Sequence, residues 1–229
     1  MNVPKSWWWF EQHLVPPQEY CIYPKENPIN YTVNSYNYRC PEFDTISWEN
    51  SYVFFGGSDV FGEGVEDDQT VCFHLEKLLG QPVINMGIAA ASNQQMVLAM
   101  SMLARHHTPK LWIVGWNDVY RWLHWDYKET DPIKVQAPRG PHKEFCGDPF
   151  PQLLESLPWY SSQARVMALA LCKDRLLELG VSTIPTLEEW GVPALDFIDH
   201  GKVNLKPGPE THKVFAEWIY KEIKRRGLD

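Results

Sequence analysis

With 229 residues, 44% of them hydrophobic, the chain is long enough for one domain with a two- or three-layer core, and disorder is not the expectation. A net charge of -8 and a pI near 5.5 argue against nucleic-acid backbones and anionic membranes as partners, since both select basic patches. No stretch approaches the roughly 18 consecutive apolar residues of a membrane span. The N-terminus MNVPKSWWWFEQHL lacks a basic region and a small-residue cleavage site, so the reading is a cytoplasmic protein. The five cysteines (Cys21, Cys40, Cys72, Cys146, Cys172) are scattered and form no CxxC pair, which suggests reduced thiols rather than disulfides or zinc.

Residues 1–48 carry Pro4, Pro16, Pro17, Pro24, Pro28 and Pro41 among many aromatics, with neither helical nor alternating periodicity. They read as an extended N-terminal wrap. Trp7, Trp8 and Trp9 cannot all point inward in a regular conformation, so at least one is expected to meet another chain or a ligand. The wrap therefore carries the expectation of a protein partner or a homo-oligomer.

Residues 49–229 read as an α/β domain. SYVFFGG (51–57) is a short apolar, β-rich run closed by glycines, the first strand. A helix is expected over 69–79, with Asp68 as N-cap, Val71, Leu75, Leu78 and Leu79 on one face, and Gly80 as stop. PVINMG (82–87) is the second strand. Ser92 followed by Gln95 forms a capping-box signature, and Met96, Ala99, Met100 and Leu103 supply the stripe of a second helix. KLWIVGWND contains the third strand. An insertion rich in Trp, Pro and His occupies 119–160, longer than a compact connection requires. A helix over 162–179 stopping at Gly180, a fourth strand VSTIPTL (181–187) and a fifth strand LDFID (195–199) follow. Pro209 opens a closing helix with Val214, Phe215, Trp218, Ile219 and Ile223 inward and Lys224, Arg225 and Arg226 at its C-terminal dipole. Strands alternating with helices imply a three-layer αβα sandwich around a five-stranded, mostly parallel sheet of flavodoxin-like order.

In such a sheet, ligands bind outside the carboxyl ends of the strands. The first strand delivers Gly57, Ser58 and Asp59; the second, Gly87; the third, Trp116, Asn117 and Asp118; the fifth, Asp199 and His200. A serine, a glycine amide, an asparagine amide and a histidine suit acyl transfer through a tetrahedral oxyanion. Each also has a plainer reading: Ser58 as a helix cap, Gly87 as a tight turn, Asn117 as a loop hydrogen bonder. No His, Asp or Glu spacing suggests a metal, and no cofactor is called for.

FFGGSDVFGEGV (54–65), NMGIAAASNQQ (85–95), GWND (115–118) and PGPETHKVFAEWI (207–219) resemble, in order and spacing, the blocks of the SGNH or GDSL-like hydrolases, over about residues 50–220. INYTVNSYNYRCPEF (29–43) is similar to a leader on some SGNH-like proteins of tailed bacteriophages, which adds assembly into a virion to the expectations of location. The resemblance implies Ser58 as nucleophile, with the Gly87 N–H and the Asn117 side chain in the oxyanion hole. The substrate class it implies is a small acyl ester or an acylated carbohydrate.

The same alignment exposes departures. Val203 and Lys206 stand at the family's Asp and His positions, and Gly57 stands where the first block has Asp. Without a base a serine hydroxyl is a weak nucleophile. Three groups offer a replacement: His200, favoured because it ends a strand on the same edge as Ser58; Lys206, in a Ser-Lys arrangement; and His212, less well placed in the first turn of the last helix. His106 and His107 fall at the opposite edge. Two functions follow, an acyl-ester or carbohydrate O-acyl hydrolase with an altered base, and a degenerate SGNH-like domain used for binding or assembly.

Overall fold

The computed structural model describes residues 29, 31–36, 38–89, 91–117, 122–124, 134–136, 150–180, 190–202 and 206–229. The elements in chain order are β1 (Tyr52–Gly56), α1 (Ser58–Phe61), α2 (Val71–Leu79), β2 (Val83–Gly87), α3 (Asn93–Ala104), β3 (Leu111–Trp116), β4 (Trp122–His124), β5 (Lys134–Gln136), α4 (Phe150–Cys172), β6 (Leu176–Gly180) and α5 (Pro209–Arg226). Four strands form a parallel sheet in the order β2-β1-β3-β6, while β4 and β5 pair antiparallel.

Alternation along the strands divides the core into two layers. Val53, Phe55, Ile84, Met86, Trp112, Val114 and Trp116 pack with Met96, Met100 and Leu103 of α3 and Ala164 and Ala168 of α4. Tyr52, Phe54, Val83, Leu111, Ile113, Leu177 and Leu179 face Val71 and Leu75 of α2 and Phe215, Ile219 and Ile223 of α5. Helices thus cover both faces, the three-layer sandwich expected. Tyr38 and Trp48 are buried in the first of these layers, with Phe43 tilted on Trp48 and Trp48 stacked on His107.

Local signals place several ends. Ser92 accepts from the Gln95 N–H and starts α3; Gly80, at φ 65°, closes α2; Pro209 begins α5. Four expectations need correction. The N-cap of α2 is Thr70, whose Oγ1 accepts from the Phe73 N–H, because Asp68 lies inside a separate 3-10 turn, Asp67–Gln69, with its own capping box. Helix α4 starts at Phe150, inside the expected insertion, and ends at Cys172, where Lys173 turns the chain at φ 52°. Gly180 therefore ends a strand, not a helix: Leu176, Leu177 and Leu179 continue the apolar spacing of α4, yet they pair with β3. Val214 is 39% exposed rather than inward.

The fourth strand expected at 181–187 lies outside the described residues. Over the expected fifth strand, 195–199, no ladder forms among the described residues; a single parallel bridge joins Gly180 to Ala194, just before it. Beyond it, the Ile198 and Asp199 N–H groups donate to Thr211 Oγ1 at 2.9 and 3.0 Å, so this backbone serves the start of α5 instead of extending a ladder along β6. Trp7, Trp8 and Trp9 also lie outside the described residues. No described helix is long and apolar enough to cross a membrane.

Candidate active site

Strand β1 ends in two glycines, and each is required by space. A Cβ at Gly56 would stand 2.2 Å from Val60 Cγ2, and one at Gly57 2.3 Å from Asn117 Oδ1 and 2.9 Å from its Cγ. Asn117 thus fills the place that a side chain at 57 would take. Ser58 follows as the first residue of α1, 1% exposed. Its N–H, at a helix start, has no intrahelical carbonyl to meet.

Lys206 reaches Ser58. Its Nζ lies 2.5 Å from Ser58 Oγ and 3.2 Å from Glu63 Oε2, giving a Ser58–Lys206–Glu63 chain of contacts. Glu63 sits just past α1, in a turn whose Gly62 and Gly64 take φ of 82° and 99°. The Lys206 side chain is 22% exposed and that of Glu63 15%. No sequence pattern had tied Glu63 to this site; its only signal was proximity to Ser58 in a glycine-rich turn.

Asn117, just past β3, is held at both backbone polar groups by Asn93: its N–H donates to Asn93 Oδ1 at 2.9 Å, and its carbonyl accepts from Asn93 Nδ2 at 3.0 Å. Its own Nδ2 donates to the Ala91 carbonyl at 3.0 Å and contacts Met96 Sδ at 3.7 Å. Asn117 therefore packs beside Ser58 with its amide hydrogens turned toward α3 and its approach. Gly87 is also engaged. Its N–H donates to Asn85 Oδ1 at 2.9 Å, while Asn85 Nδ2 donates to the Val60 carbonyl at 2.9 Å. A Cβ at Gly87 would lie 2.2 Å from Phe61 N. Its glycine thus lets α1 pack onto β2, and Asn85 ties the two together.

The favoured base, His200, is not the group that meets Ser58. It is exposed, its backbone bridges to Pro207, and no contact brings its ring to Ser58 Oγ. Its neighbour Asp199 is committed to α5, accepting from the Thr211 N–H (2.7 Å), the Thr211 hydroxyl (2.6 Å) and the Glu210 N–H (3.1 Å). Burial opposes the ionisation of Asp199, but those hydrogen bonds outweigh it and hold the carboxyl below its usual range. Asp199 supplies the cap that the α5 N-cap, Gly208, cannot. His212 is structural: fully buried, its Nδ1 accepts from the Val71 N–H at 3.2 Å, and burial followed by the Arg39 and His74 charges pushes it down to about 3. Val203 lies outside the described residues. Among the described residues, no three His, Cys, Asp or Glu side chains converge to hold a metal ion.

No protein-family profile matches the sequence, and no curated protein matches it. Solved structures do. The fold is similar to that of TesA, at a TM-score of 0.52 and 11% identity, covering 77% of this chain and 99% of that one. It is likewise similar to a lipase/acylhydrolase from Enterococcus faecalis, at a TM-score of 0.50 and 9% identity, covering 77% and 96%. The chain has the SGNH-hydrolase fold, a likeness carried by backbone and not by sequence identity.

Proposed function

We propose that this protein is an acyl-ester hydrolase in which Ser58 is the nucleophile and Lys206 the general base, acting on a short acyl ester or an O-acylated carbohydrate. The observation that carries the reading is the 2.5 Å contact between Lys206 Nζ and Ser58 Oγ, at the carboxyl end of β1 in an SGNH-hydrolase fold. Lys206 also stands at the sequence position where the resembling family has its histidine, so a different side chain fills the same role from the same place.

As a neutral amine, Lys206 takes the Ser58 proton while Oγ attacks the acyl carbon, and the carbonyl pair moves onto oxygen. Collapse breaks the ester C–O bond, and the Lys206 ammonium returns the proton to the departing alcohol. Water then repeats the sequence on the acyl-serine, releasing the acid. In this reading the Ser58 N–H stabilises the oxyanion, joined by Asn117 once its amide turns from Ala91. Glu63 orients the lysine and balances its charge during the protonated stages.

Two observations favour a binding module as the second reading. Ser58 is almost wholly buried, and an ammonium paired with Glu63 donates to Ser58 rather than accepting from it. Turnover of short acyl esters and acetylated saccharides, with fluorophosphonate labelling of Ser58, separates the two. For the hydrolase, Ser58→Ala abolishes both signals, Lys206→Ala lowers the rate by on the order of 10²- to 10⁴-fold, and His200→Ala leaves it unchanged. Equal traces from wild type, Ser58→Ala and Lys206→Ala would refute the hydrolase reading and favour a binding or structural module.

A further inference from the structure

We infer that Arg39 is a positioning residue for the Ser58–Lys206 pair, acting through the 61–66 turn and Glu63; its effect on rate rests on the hydrolase reading, its effect on Lys206 does not. Arg39 comes from the segment ahead of the α/β domain, and its side chain is 3% exposed. A guanidinium so buried is costly unless its N–H groups are matched, and here they are. Nε donates to Asp67 Oδ1 at 2.7 Å, Nη1 to the Phe61 and Gly62 carbonyls at 3.2 and 2.7 Å, and Nη2 to the Val65 carbonyl at 2.9 Å, while Nη2 also lies 2.6 Å from Asp67 Oδ1 in an ion pair. The fork thereby fixes three carbonyls of one turn, a geometry that the point charge of a lysine cannot reproduce.

Tyr31 completes the clamp. Its ring lies 4.7 Å from the guanidinium carbon, and its hydroxyl accepts from the Gly64 N–H at 3.0 Å. On its other side the turn meets the segment that carries Lys206. The Lys202 N–H donates to the Gly64 carbonyl at 2.9 Å, Lys202 Nζ bonds Glu66 Oε1 at 2.9 Å, and a Cβ at Gly201 would lie 2.9 Å from that same Gly64 carbonyl. Glu63, between Gly62 and Gly64, has its position set from both sides, and it is the carboxylate that meets Lys206. Loosening Arg39 should thus displace Glu63 and, with it, the lysine at Ser58.

A purely structural arginine would lower stability without this particular coupling, so the test is a double-mutant cycle with two readouts. Arg39→Lys, Glu63→Gln and the double variant are compared for the rate of Ser58 labelling by a fluorophosphonate and for the reactivity of Lys206 in competitive acetylation, read by peptide mass spectrometry. Each single variant should slow Ser58 labelling about tenfold, small displacements being costly in such sites. Each should also raise Lys206 reactivity, and the double variant should go no further than the more severe single. Wild-type Lys206 reactivity in Arg39→Lys, or losses that multiply in the double variant, would overturn the inference. If Arg39→Lys does not fold, Asp67→Asn, which removes one anchor of the fork at a half-exposed position, should move both readouts in the same direction, and its failure to do so is equally decisive. Absence of Ser58 labelling in the wild type would refute the hydrolase reading alone, because the Lys206 readout still decides the role of Arg39.

Discussion

His212 makes the stability of this protein depend on pH in a window where few other groups act. The imidazole accepts from the Val71 N–H, so Nε2 carries the proton, and that atom is buried without a partner among the described residues. Protonating Nδ1 would set a donor against a donor, inside the core and near the Arg39 and His74 charges, with only Asp199 opposing. The folded protein therefore binds this proton at about 3, and the unfolded chain at its ordinary 6.5. Between those values the unfolded state holds more protons, so stability is fully present above 6.5 and falls as pH drops, with a slope of ~1.4 kcal/mol per pH unit and a total of about 5 kcal/mol at most. Against a typical domain stability of about 5–15 kcal/mol, that is a large share. The variant to compare is His212→Asn, whose Oδ1 can accept from Val71 but does not titrate. Urea midpoints from tryptophan fluorescence, measured from pH 6.5 to 4.5, should fall in the wild type and fall less in His212→Asn by one proton's slope. Asp199 and Glu222, both lowered from ordinary values of 3.8 and 4.5, lose their contributions only at more acid pH. His74 and His107, also lowered, act with the same sign but persist in the variant. Parallel slopes for the two proteins would refute the reasoning.

Two further outcomes test the frame around Ser58. Gly87→Ala should cost roughly 1–3 kcal/mol in thermal unfolding, since the clash is with the Phe61 backbone and not with a movable side chain; an unchanged Tm would show that α1 can move off β2 freely. Asn93→Ala strips both backbone partners from Asn117, so it should lower stability by roughly 1–3 kcal/mol and slow Ser58 labelling as well. Labelling at the wild-type rate despite the lost stability would separate Asn117 from the chemistry.

Much of the frame was legible because local physics decides it. Strands β1, β2 and β3 are short apolar runs, the first two closed by glycine, buried on both faces as a parallel sheet demands, and Ser92, Gly80 and Pro209 mark helix ends whatever surrounds them. The leucines at 176–179 were not legible in this way: their spacing suits a helix or a strand, and pairing with β3 settles it. LDFID carries strand-like alternation, yet Thr211 takes its last two N–H groups for α5.

The site divides along the same line. From the residues alone come the serine after the first strand and its place at the carboxyl edge of the sheet, and from the resemblance to the SGNH-like blocks comes Lys206 at the position of an expected histidine. Edge logic then favoured His200, because a strand end fixes where a residue starts but not where the following loop carries the next ones. Only the tertiary structure decided that Lys206 folds back to Ser58 while His200 faces solvent, that Glu63 meets the lysine, and that Arg39, distant in sequence, grips the turn between them. Those are contacts between segments far apart along the chain, chosen by packing and by the need to match buried polar groups, and no local pattern of residues encodes them.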